Sequence, residues 1–126
     1  MKGSKTKTFK KGRRKWHKPK LDQERWSEFL SMFSNGNRGR MVAIEVADMA
    51  IGDQPITDGA PLFAIDYDPV NKGDDLMITT GRDEVEYTHK ISAPAKIWES
   101  QDDNGKAMVL EIIARDGAKT ILVFKS

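Results

Sequence analysis

The chain has no cysteine, which excludes disulfides, thiolate metal centres and thiol nucleophiles together. Long apolar runs are also missing. None approaches the roughly 18 residues a membrane helix needs, and no apolar stretch of a secretory leader follows the N-terminal charges. The expectation is a soluble, cytoplasmic protein with no membrane partner. No glycine-rich phosphate loop is present, because Gly36 and Gly39 flank the end of a helical pattern, where N–H groups do not point outwards. No serine or threonine has a base and an orienting acid arranged around it, so no catalytic residue is nominated and the chain reads as a non-enzyme needing no cofactor.

What the chain does hold is charge, sorted by position. Residues 1–20 carry ten Lys or Arg and no acid, leaving 11 cations against 19 acids in the remainder, a formal charge of −8. The first 20 residues offer only Phe9 and Trp16 as large apolar groups, too little to offset the entropy of ordering, and read as a disordered basic tail. Its cations suit a polyanion, RNA or DNA, through Lys10, Lys11, Arg13, Arg14, Lys15 and Lys18, with Trp16 placed to stack on a base. The competing readings are a tail lying on its own acidic domain, serving solubility or arising at the gene start. The acidic body then becomes the contact surface of a protein–protein adaptor or stress-related accessory protein, or of a homo-oligomer.

Residues 21–126 read as a single mostly β domain, since 126 residues with 38 % hydrophobic content supply one modest core. Asp22 can cap a helix, with Leu21 and Trp26 placed as a hydrophobic staple, and Trp26, Phe29, Leu30 and Phe33 repeat as one apolar face. Ser34-Asn35-Gly36-Asn37 should end it. The period then changes to two: Val42, Ile44 and Val46 in one strand, a polar loop containing Gly52, Pro55 and Gly59, and further strands at Leu62–Tyr67, Leu76–Thr80 and Val85–Ile91. Pro94 is expected to break the pattern before Ala95–Ser100, and a C-terminal hairpin, Met108–Ala114 with Thr120–Lys125, turns at Asp116-Gly117. This predicts a mainly β domain with one N-terminal helix: a small Sm-like or SH3-like barrel, or a rolled antiparallel sheet, plus the hairpin. The helix should plug one end. The expected core is Trp26, Phe29, Leu30, Phe33, Val42, Ile44, Val46, Leu62, Ile78, Val85, Tyr87, Ile91, Leu110, Ile112, Leu122 and Phe124.

His89, with Tyr87, forms a candidate polar site on the inner face of its strand, where a lone histidine is more often a hydrogen-bonded structural residue. Asp66 to Asp75 is rich in oxygen ligands but fails the calcium-loop pattern, with Val70 at the third-ligand position and Met77 where a bidentate Glu belongs, so no metal is expected. A hydrolase built on His89 with Asp66 and Asp68 would need those carboxylates to converge on the histidine.

From Leu21 to Phe124 the chain resembles a family of small uncharacterised bacterial proteins, one of the numbered domains of unknown function. The likeness runs through Arg25-Trp26, Phe29, Phe33-Ser34, Gly39-Arg40-Met41-Val42, Pro61-Leu62, Ile65-Asp66-Tyr67-Asp68-Pro69, Thr88-His89, Ala93-Pro94, Ile97-Trp98, Leu110-Glu111-Ile112 and Asp116-Gly117. The resemblance implies a fold and no activity. Helix-then-strands order also resembles the Sm-like barrel, and Tyr87-Thr88-His89-Lys90-Ile91-Ser92 is similar to the Tyr-Lys-His-Ala-Ile-Ser stretch of the bacterial Sm-like RNA chaperone. Only His89 carries across, because Thr88 stands where that chaperone has its RNA-site lysine.

Overall fold

A computed structural model describes residues 15–17, 23–48 and 50–125. Seven antiparallel strands follow one helix, α1 (Trp26–Asn37): β2 (Met41–Asp48), β3 (Gly52–Asp68), β4 (Asp75–Thr80), β5 (Tyr87–Ser92), β6 (Pro94–Gln101), β7 (Ala107–Ala114) and β8 (Lys119–Phe124). A three-residue strand, β1 (Lys15–His17), precedes the helix. All belong to one sheet in the order β1-β6-β7-β8-β2-β3-β4-β5. The expected mainly β fold with one N-terminal helix is present, in its rolled-sheet form. A closed barrel is not formed, because β5 has β4 as its single ladder neighbour among the described residues.

The helix enters through a 3-10 turn at Gln23–Arg25 and has no side-chain cap at Arg25, while the expected staple and cap at Leu21 and Asp22 lie outside the described residues. It ends at Asn37, the last residue of the Ser34–Asn37 run expected to stop it. Asn37 donates its amide to the Phe33 carbonyl (2.8 Å) and accepts from Arg40 Nη1 (2.9 Å), and the reversal falls at Gly39, whose φ of +89° favours glycine. α1 lies on the sheet, chiefly against β3, rather than plugging an end. Trp26 meets the Tyr67 ring edge-on at 5.4 Å, and Phe33 meets Phe124 at 5.7 Å.

The polar segment around Gly52, Pro55 and Gly59, expected as a loop, is the first half of β3 and pairs with β2 from Asp48↔Gly52 to Met41↔Pro61. Proline fits there because this half of β3 has a neighbour on one side only, so a missing N–H costs no ladder bond. From Leu62 onwards β3 pairs with β4 instead. One bent strand thereby passes the chain from one half of the roll to the other. Pro94 likewise opens β6 instead of interrupting a sheet, with a register shift before Lys96 absorbing the missing donor.

The inner face buries Val42, Ile44, Leu62, Ile65, Leu76, Ile78, Ile91, Leu110, Ile112, Leu122 and Phe124 beneath Trp26, Leu30 and Phe33. Of the expected core, Phe29 is partly buried against this cluster and Val46 is half-buried. Val85 and Tyr87 are not core residues: they remain 48 % and 45 % exposed. The alternation places Tyr87 on the same face as His89 and Ile91, but Tyr87 is the first residue of the strand and Val85 precedes it.

Candidate functional site

Of the nominated tail residues, Lys10, Lys11, Arg13, Arg14 and Lys18 lie outside the described residues, and Lys15 and Trp16 belong to β1. The β1 backbone runs antiparallel along β6, with Lys15 opposite Gln101, Trp16 opposite Ser100 and His17 opposite Glu99. A basic stretch thus covers one edge of the sheet.

His89 and Tyr87 do not form a shared site. His89 is half-buried, its Nε2 3.4 Å from Thr120 Oγ1 across the roll, and burial pushes its pKa below the ordinary value of 6.5. It lines a shallow cleft of about 170 Å³ with Val46, Ile91, Ala114, Asp116 and Thr120. Tyr87 stands outside, exposed. Asp66 and Asp68 do not approach His89 either. Register places Ile65, Ile78 and His89 in one cross-strand row and Asp66, Met77 and Lys90 in the next, so the carboxylate of Asp66 and the imidazole project from opposite faces. Among the described residues no three His, Asp or Glu side chains cluster as metal ligands.

The most connected polar group was not nominated from sequence. Asp74, in the turn before β4, accepts at Oδ1 from the Tyr67 hydroxyl (2.7 Å) and from Gln23 Nε2 (3.1 Å), while Oδ2 lies 3.3 Å from Arg115 Nη2. Gln23 also donates to the Tyr67 oxygen at 2.6 Å. Burial and the bond to Asp74 raise the Tyr67 pKa. Asp74 has φ +54° and Ala93, between β5 and β6, has φ +52°, the two non-glycine residues with positive φ among those described. They are hydrogen-bonded to each other, Ala93 N–H to the Asp74 carbonyl at 2.9 Å, and the Arg115 N–H donates to the Ala93 carbonyl at 2.9 Å.

Arg115 therefore returns through its guanidinium to Asp74, closing a ring that ties the helix entrance, β3, β4, the β5–β6 joint and the end of β7. A pocket of about 360 Å³ adjoins it, lined by Gln23, Glu24, Tyr67, Pro69, Val70 and Asn71. Every polar atom named in the ring already has a partner, so it acts as a latch on the roll. The sequence signals were Gly73-Asp74, where aspartate tolerates the left-handed region, and a tyrosine on the inner face needing a partner for its hydroxyl.

Residues 17–126 match the family described as "Family of unknown function (DUF5335)". The chain belongs to this family. It is also 30 % identical over 105 residues to an uncharacterized protein of Aquifex aeolicus (strain VF5), covering 83 % of this chain and 89 % of the relative. No solved structure matches. The DUF5335 match opens at the last residue of β1, so the latch, the roll and His89 lie within it, while all cations up to Lys15 lie before it.

Proposed function

We propose that this DUF5335 protein is a non-enzymatic, cytoplasmic binding module that holds RNA or DNA through its basic N-terminal segment. The observation that supports this most directly is the segregation of charge, ten cations without an acid in residues 1–20 ahead of a body of formal charge −8. An anionic body repels a phosphate backbone, so the contact falls on the basic segment and not on the acidic remainder. The placement of β1 on β6 supports a tether, since Lys15 to His17 pair along the sheet's edge. The reading takes the domain as Sm-like in kind, on its helix-first order and its Tyr87–Ser92 stretch. It gives His89 no role at an RNA pore, because that imidazole is half-buried beside Thr120.

The test is fluorescence-anisotropy binding of a labelled single-stranded RNA to the full chain and to a Lys10, Lys11, Arg13, Arg14 quadruple serine variant, at low and physiological salt. Four lost phosphate contacts should weaken binding steeply and reduce the slope of log affinity against log salt by roughly 3. Absence of binding by the full chain at low salt would discard the proposal in favour of an adaptor working through the acidic body.

A further inference from the structure

The sheet ends at β1 on one side, a strand of three residues, and at β5 on the other, a strand of six. β6 takes β1 along its outer side, whereas β5 has no ladder partner beyond β4 among the described residues. The bond from Ala93 N–H to the Asp74 carbonyl fixes the phase of this edge. Counting back through the alternating ladder, Ile91, His89 and Tyr87 turn their N–H and C=O groups towards β4, and Thr88, Lys90 and Ser92 turn theirs outwards. Tyr87, Thr88 and Lys90 are exposed, and Val85 and Tyr87 add apolar surface at the same place. An unblocked row of outward donors and acceptors, with no proline in Tyr87–Ser92, is a template for another strand.

The charges along the edge say which strand fits. Glu84 and Glu86 precede β5 and Lys90 follows within it, so the acidic end and the basic position of one strand are complementary to those of a second, reversed copy. Antiparallel pairing about Thr88 sets the outward groups of Thr88 opposite each other and brings Lys90 of each chain beside Glu86 of the other, whose own N–H is held by the Thr80 carbonyl so that the pair is between side chains alone, while parallel pairing sets like charges together. Lys90 has a local ion pair, 3.5 Å to Asp75, on an exposed side chain free to reorient.

We propose that the β5 edge is a homotypic interface, at which a second copy of this chain pairs antiparallel about Thr88 and joins the two rolled sheets across a twofold axis. This does not depend on the nucleic-acid reading.

Sedimentation equilibrium of the full chain across the micromolar to submillimolar range should show the mass rising from one chain to two. Lys90→Glu and Glu86→Lys should each weaken the dimer by about tenfold or more, and the combined exchange should restore it. Thr88→Pro removes an outward N–H and no bond to β4, so it should leave a folded monomer by circular dichroism. A single-chain mass at every concentration overturns the proposal, as does a dimer indifferent to both charge reversals. If Thr88→Pro does not fold, the restoration of the dimer by the double exchange decides.

Discussion

The two ends of β5 are held by different means. At its C-terminal end the chain passes into Ala93, whose N–H and C=O are taken by Asp74 and Arg115, and Asp74 in turn gathers Tyr67, Gln23 and the Arg115 guanidinium. At its N-terminal end the chain arrives from Gly81 through exposed residues, touching β4 by the Glu86 N–H to the Thr80 carbonyl (2.8 Å), with Val85 and Tyr87 left in solvent. A closed polar ring can hold two residues in the left-handed region because each deviation is fixed by more than one bond. An end without such a ring relies on a glycine, Gly81, to turn the chain.

The largest expected effect comes from opening the latch. Asp74→Ala leaves the Tyr67 hydroxyl and the Gln23 amide without their common acceptor and should cost about 2–4 kcal/mol in urea denaturation. A loss below about 1 kcal/mol would mean that the ring decorates the roll and does not hold it. At the opposite end Gly81 has φ +153°, and a Cβ there would stand 1.9 Å from the Glu84 carbonyl oxygen. Gly81→Ala should therefore cost about 2–3 kcal/mol, with the backbone of Glu84 forced to move.

Ala93→Gly separates strain from bonding. It relieves a left-handed conformation worth about 1–2 kcal/mol while loosening the unfolded chain by somewhat less, so stability should hold or rise by up to about 1 kcal/mol. A clear loss would place the value of Ala93 in its methyl contacts.

Acid titration probes the inner face between the two ends. Burial keeps His89 neutral below its ordinary pKa of 6.5, so the unfolded chain binds the additional proton first. Stability is complete above about 6.5 and falls as the pH drops from there towards the lowered folded value. His89→Gln should flatten the melting temperature over that window, and an unchanged slope would show that another group carries it. The smallest effect belongs to Tyr87→Ser, expected within about 0.5 kcal/mol for one chain because the ring stands in solvent.

The helical face from Trp26 to Phe33 and the period-two stretches at Val42–Val46, Leu76–Thr80 and Leu110–Ile112 were legible because local chain geometry imposes those periods. Two expectations failed because they depend on neighbours distant in the chain. Gly52, Pro55 and Gly59 punctuate a strand with a one-sided partner, and Val85 and Tyr87 stay exposed at the start of β5. Alternation identifies a face; it does not say where the opposing layer stops. The latch was not legible, because Gln23, Tyr67, Asp74 and Arg115 are brought together by the roll and each has an ordinary local setting in the sequence.

By itself the sequence determined the mainly β composition, the single N-terminal helix, most of the buried positions and the division between a basic segment and an acidic body, since these follow from residue type and local period. The tertiary structure alone decided that the sheet rolls without closing, that Asp74 locks one end of β5, and that the other end has exposed Val85 and Tyr87. Each of these depends on which distant strands become neighbours, and pairing between strands far apart in the chain leaves no periodic trace in either one.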